Sequence, residues 1–227
     1  MFCRAVAVVR AGSCHRRFAS SSFIDVYNDV RNHAETHHTI KVARLTQLFK
    51  AAATKRDVID AVQVLRLFET RYIEPVQETA GEFIKKCIQV DAGDVALKVF
   101  QNHSRLGLHV NTGSLNKLLV HFYDKKEFSN ALDLYREMQA YEVKFNKDTY
   151  NVAIRALLEL DDVDAAVQLL QFAASKNEVK RYTCNYVLME LVKRGLNDKV
   201  EIVAKCMTTY GIAANDTTKH LAGPTSD

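Results

Sequence analysis

Apolar residues return every three or four positions through most of the chain, the spacing of amphipathic helices. Phe23, Val26, Tyr27 and Val30 share one face and predict a helix over 23–31. The polar stretch 32–38, NHAETHH, predicts a solvated connection. From Val42 the alternation of apolar stripe and polar break becomes regular. Each copy opens with a striped segment whose columns agree: Leu45, Ala80, Leu115, Tyr150 and Cys184, then Phe49, Ile84, Leu119, Ile154 and Leu188. A polar break follows, such as Asp124-Lys125-Lys126. A second striped segment comes next, with columns Val64, Val99, Leu134, Leu169, Val203 and Leu65, Phe100, Tyr135, Leu170, Ala204.

Ala61, Ala96, Ala131 and Ala166 stand 35 residues apart and fit the closest approach of two paired helices. Ser114-Leu115-Asn116, Thr149-Tyr150-Asn151 and Thr183-Cys184-Asn185 recur at offsets of 35 and 34. A period of this size means a stacked array, because one helix pair has more apolar surface than it can hide alone. Thirty-five residues hold two helices of three turns and two short connections. The copies are read as 42–76, 77–111, 112–146, 147–180 and 181–215, after an N-terminal helix and linker over 23–41 and before a tail over 216–227. Asp216–Leu221 is placed to start another first helix. Ile73-Glu74-Pro75 is read as a helix stop, and Gly107, Gly195 and Gly211 as turn positions. Lys176-Asn177-Glu178 takes the place of a glycine turn. The fold class is all-α, a right-handed α-solenoid of about five helix-turn-helix repeats.

Two prolines and eight glycines are few for an all-β chain. No run is long and apolar enough for a transmembrane helix, so no membrane insertion is expected. The formal net charge of +4 is not spread evenly. Residues 1–24 hold Arg4, Arg10, Arg16 and Arg17 and no acid, which leaves 27 basic against 27 acidic residues in 25–227. A neutral body has no global field for nucleic acid, so any such binding needs a local patch.

Residues 1–22, MFCRAVAVVRAGSCHRRFASSS, carry arginine and serine, no acid and a short apolar run, the pattern of an organellar transit peptide. Arg16-Arg17-Phe18-Ala19-Ser20-Ser21 resembles a mitochondrial processing site. The expected location is the mitochondrial matrix, with the plastid as the alternative.

Catalytic chemistry finds no support. There is no glycine-rich phosphate loop and no GxSxG. His33 and His37 are four apart but lack a third ligand, and Cys87, Cys184 and Cys206 form no CxxC pair. Asp161, Asp162 and Asp164 sit at a helix start, where acids favour the macrodipole. No cofactor, metal or small-molecule substrate is expected, and the protein is read as non-enzymatic.

The repeats resemble the pentatricopeptide repeat family. Thr149-Tyr150-Asn151 is similar to its opening, and Ala131-Leu132-Asp133-Leu134-Tyr135-Arg136-Glu137-Met138 to its second-helix pattern. The Trp-x-x-Leu-Gly opening of tetratricopeptide repeats is missing. The resemblance covers about 42–215 and implies binding of single-stranded RNA, one base per repeat. It implies that the fifth and last residues of a repeat read the base: Asn116 with Asn146, and Asn185 with Asn215, in a combination that favours a pyrimidine. Asn151 pairs with Lys180 on the same scheme, and the stacking place holds Tyr182 in 181–215 but Glu78 and Asp148 elsewhere. Lys50, Lys85 and Arg155 share the ninth place and could line a face toward a phosphate backbone. The bland reading of the asparagines is a helix-start or inter-repeat hydrogen bond.

The expected function is therefore RNA binding in mitochondrial transcript processing, stability or translation, within a larger ribonucleoprotein such as the mitochondrial ribosome. The alternative is a protein–protein adaptor or structural subunit of a ribosomal or respiratory complex, with no sequence-specific RNA reading.

Overall fold

In a computed structural model, residues 22–36 and 40–222 are described, and they fold into twelve α-helices and one 3-10 turn with no strand. The transit-peptide reading falls, apart from Ser22, outside the described residues, as do His37 and the last five residues. The helices are α1 (Phe23–Thr36), α2 (Val42–Ala51), α3 (Lys55–Thr70), α4 (Gln77–Gln89), α5 (Gly93–Gln101), α6 (Thr112–Asp124), α7 (Phe128–Ala140), α8 (Lys147–Glu159), α9 (Val163–Ser175), α10 (Arg181–Lys193), α11 (Asn197–Thr209) and α12 (Asp216–Ala222). They stack as antiparallel pairs in an all-α, right-handed solenoid. First helices α2, α4, α6, α8 and α10 pack on one another in one layer. Second helices α3, α5, α7, α9 and α11 form the other.

The apolar columns make the core. Leu45, Phe49, Ala80, Ile84, Leu119, Ile154 and Leu188 are at most 1% exposed. Ala61, Ala96, Ala131 and Ala166 are equally buried, where a larger side chain would hold the paired helices apart. Phe49, Phe83, Phe100 and Tyr141 run ring to ring through the first copies, at centroid distances of 5.1, 6.4 and 6.2 Å. The buried residues fall into two clusters that share half-buried Phe145, Leu157 and Leu169 at the junction of α7 with α8 and α9.

One turn design recurs. Nine helix-ending turns carry a residue in the left-handed region: Tyr72, Asp91, His103, Lys126, Glu142, Asp161, Asn177, Gly195 and Gly211. The residue after each donates its N–H back across the turn, as Ala92 to Cys87 O (2.7 Å), Glu127 to Phe122 O (2.9 Å) and Leu196 to Leu191 O (3.0 Å). This closes the last carbonyls of the helix. The stop after α3 is accordingly Tyr72 at φ 59°, with Ile73 N–H on Phe68 O, rather than Pro75. Gly107 is not a positive-φ turn either. It lies in the 3-10 turn Arg105–His109, and a Cβ there would stand 2.4 Å from the Tyr141 ring. The Tyr141 hydroxyl donates to Phe100 O and Ser104 O, both at 3.0 Å, and ties that turn to α5.

One local difference has a simple cause. Helix α1 continues to Thr36, past the expected end at Arg31, because Arg31 reaches Glu35 (3.1 Å), His33 reaches Asp29 (3.5 Å) and Thr36 bonds Asn32 O (2.7 Å) one turn apart. The acidic run is structural: Asp162 caps α9 through Ala165 N–H (3.2 Å), while Asp161 and Asp164 pair with Arg194 and Lys199 of the next copy.

Gly195 has open space around its missing Cβ, so only backbone strain opposes a side chain there. Gly195→Ala is expected to cost about 1 kcal/mol, whereas Gly107→Ala, which collides with Tyr141, costs about 2–3 kcal/mol. Urea denaturation followed by circular dichroism measures both.

Candidate functional site

The fifth-place residues lie along the first-helix layer, and each one that has a side chain reaches the third residue of the next copy. Asn116 Oδ1 accepts from Thr149 Oγ1 at 2.8 Å, Asn151 Oδ1 from Thr183 Oγ1 at 3.0 Å, and Asn185 Oδ1 from Thr218 Oγ1 at 2.6 Å. In the first copy Thr46 and Thr79 share a hydroxyl hydrogen bond of 2.7 Å. At Gly81 the fifth-place side chain is missing, with the Ser114 hydroxyl nearby. Thr79, Thr149, Thr183 and Thr218 are at most 4% exposed, so these bonds lie inside the helix–helix seam. An unpaired oxygen there would carry a desolvation penalty, which is why the two columns need each other. This threonine column is the feature that sequence reading missed. The recurring Ser/Thr-x-Asn triplets showed it, but as a period marker rather than as partners across copies.

The last-place asparagines join the same network. Asn116 Nδ2 donates to Asn146 Oδ1 (2.9 Å), and Asn185 Nδ2 to Asn215 Oδ1 (3.2 Å). Asn146 Oδ1 also caps α8, accepting from Asp148 N–H and Thr149 N–H at 3.0 Å each. Asn215 Oδ1 accepts from Thr218 N–H (2.9 Å), so the opening of α12 copies that of α8. Each triad of two asparagines and one threonine has its oxygens engaged. By inventory, Asn116 keeps one amide N–H and Asn146 keeps two, and the same holds for Asn185 and Asn215. Asn151 has no such partner: Lys180 turns instead to Asp148 (2.7 Å) and lies 5.6 Å from the Tyr182 ring. Tyr182 itself is 48% exposed at the start of α10.

The ninth-place cations are all engaged. Lys50 pairs with Glu78 of the next copy (2.6 Å) and Lys85 with Glu82 (3.3 Å). Arg155 lies between two rings, its guanidinium carbon 4.8 Å from the Tyr123 centroid and 4.4 Å from that of Tyr186. Both tyrosyl hydroxyls donate to Glu159 Oε1, at 3.2 and 2.9 Å. The cluster joins α6, α8 and α10. Burial pushes the Tyr123 phenol up, so it stays a donor to Glu159. Val120 fills the ninth place of 112–146 and is exposed.

Burial raises the Cys87 thiol and moves Cys184 to about 12, which keeps both protonated and poorly nucleophilic at neutral pH. Among the described residues no group of three or more His, Cys, Asp or Glu is placed to hold a metal, and no helix is long and apolar enough to cross a membrane.

Thr149→Val keeps the shape and removes the hydroxyl on Asn116. It is expected to cost about 1–3 kcal/mol by leaving a buried amide oxygen unpaired, while Thr149→Ser restores most of the loss. Arg155→Met, which keeps the stem between the tyrosines, is expected to cost about 1–2 kcal/mol for two lost cation–π contacts. Equilibrium denaturation reads both.

No protein-family model matches the chain. Human pentatricopeptide repeat-containing protein 2, mitochondrial, is 26% identical over 136 residues, 58% of this chain and 35% of the human protein. The mouse protein of that name is 25% identical over 166 residues, 68% of this chain and 44% of the mouse protein. The chain thus spans less than half the length of these relatives. The crystal structure of the maize pentatricopeptide repeat protein PPR10 superposes with a TM-score of 0.52 over 88% of this chain and 29% of that chain. At 19% identity that likeness is one of fold. The 35-residue period, the stacked helix pairs and these similarities together support a pentatricopeptide repeat protein.

Proposed function

We propose that this protein binds single-stranded RNA along its first-helix layer and acts in mitochondrial gene expression as part of a larger ribonucleoprotein. The observation that carries the reading is the pair of asparagine–asparagine–threonine triads, Asn116/Asn146/Thr149 and Asn185/Asn215/Thr218, each held rigid and each left with amide donors. A donor pair favours a base edge made of acceptors. Cytosine offers O2 and N3 side by side, whereas uracil carries a proton at N3. Tyr182 supplies an exposed ring for stacking. The mitochondrial location rests on the arginine-rich residues 1–22 and on the names of the human and mouse relatives.

The same geometry argues for help from partners. Lys50, Lys85 and Lys180 are each neutralised by a carboxylate, and Arg155 is covered on both faces. Each phosphate contact contributes a salt slope of about 0.7 for a single strand, so a face with so few unpaired cations binds weakly. A mitochondrial ribosomal subunit is the host that best fits an RNA contact of modest strength beside protein contacts.

The test is fluorescence anisotropy of the purified protein with ten-nucleotide RNAs. The expected result is weak binding, a preference for cytidine over uridine tracts, and loss of that preference in Asn116→Ala/Asn185→Ala. Unchanged selectivity in the double variant overturns base reading. For the host, co-sedimentation with a ribosomal subunit in a sucrose gradient of organelle lysate is expected. RNase-indifferent migration with a membrane complex would instead support the adaptor role.

A further inference from the structure

The second-helix layer carries a feature the RNA reading does not use. Helix α5 has nine residues, against thirteen in each of α7, α9 and α11. Between α3 and α5 runs a groove of about 250 Å³, lined by Ile59, Val62 and Arg66 on one side and Val95, Lys98 and Val99 on the other. It continues past Arg66 and Val99 into a second hollow of about 230 Å³ that ends at Glu69 and Ser104. Its floor is aliphatic, and Val62 and Val99 are buried there.

The charges on its walls are unbalanced once internal pairs are counted. Of its two carboxylates, Asp94 is neutralised by Lys55 at 2.7 Å, while Glu69, at the far end of the second hollow, accepts from the Ser104 hydroxyl (2.5 Å) and the Arg105 N–H (2.9 Å) and keeps its charge, so two bases stand against one uncompensated acid. Its two bases, Arg66 on α3 and Lys98 on α5, are exposed, and their side chains have no ion-pair or hydrogen-bond partner among the described residues. An aliphatic floor between two free cations asks for an occupant with apolar groups below and carboxylates at both flanks. An RNA strand offers phosphate but no aliphatic surface for Val62, Val95 and Val99.

We infer that the α3–α5 groove docks an acidic amphipathic helix from a partner protein. Nine helical residues span about 14 Å, so the groove seats two to three turns of the guest. Anchors at i, i+4 and i+7 lie on the floor, the pattern of helix-in-groove recognition. Glutamates or aspartates beside them meet Arg66 and Lys98, and the aliphatic stems of those bases cover the edges of the guest. The asparagine triads sit on first helices, so this contact is independent of base reading.

The test uses methyl-labelled full-length protein, a fourteen-residue helical peptide with leucine at i, i+4 and i+7 and glutamate on its flanks, the same peptide with lysine in place of glutamate, and a decauridine. The acidic peptide is expected to shift the Val62, Val95 and Val99 methyl resonances saturably, at least tenfold more tightly than the basic one. Arg66→Glu/Lys98→Glu, on exposed positions, should reverse that order, and Arg66→Gln/Lys98→Gln should abolish the difference. Absence of a saturable shift, equal binding of both peptides by the unaltered protein, or displacement of the acidic peptide by the decauridine overturns the inference.

Discussion

A first helix in this array is covered on three sides, by its own second helix and by the first helices before and after it. That constraint shapes everything else. A helix so placed must be apolar over most of its circumference, which is why Leu45, Phe49, Ile84, Leu119, Ile154 and Leu188 are all buried. Any polar side chain in the seam must find a partner within it. The threonine–asparagine ladder is that solution. It links Asn116 to Thr149, Asn151 to Thr183 and Asn185 to Thr218, one copy to the next, with the same bond each time.

The ladder also shows how a structural device and the proposed recognition device share residues. Thr149 and Thr218 hold the oxygens of their asparagines inward, and the last-place asparagines cap the following helices. What remains without a partner is N–H. An asparagine that had to bond both its neighbour and a base with one rotatable amide would do neither well; fixing it first removes the ordering cost on binding. Where the scheme breaks, at Lys180, the side chain serves Asp148 instead, and the fourth copy keeps its fold without a matched pair.

Charge follows a similar economy. Cations that could have formed a basic stripe are spent between copies, as Lys50 on Glu78 and Lys180 on Asp148. Arg155 joins three helices through Tyr123, Tyr186 and Glu159 rather than facing solvent. The unpartnered bases Arg66 and Lys98 stand on the other layer, beside an aliphatic groove. The proposed base-reading and docking surfaces thereby fall on different helices of the same repeats.

The period, the apolar columns and the small alanine column were legible in the chain because they repeat, and repetition separates a packing requirement from chance. The recurring triplets around Asn116, Asn151 and Asn185 were legible as positions. Their partners were not, because each bond runs to a residue 32 or 33 places away and depends on how one copy is rotated on the next. The turn chemistry was half legible: Gly195 and Gly211 announce a left-handed residue, but Asp91, Lys126 and Glu142 adopt it under tertiary pressure with no glycine to mark them. Helix content and stacking were thus determined by local periodicity and apolar excess. Which cations remain free, which amide atoms are engaged and where a groove stays open were decided by packing between copies, since each is a question of what a side chain meets across a helix interface.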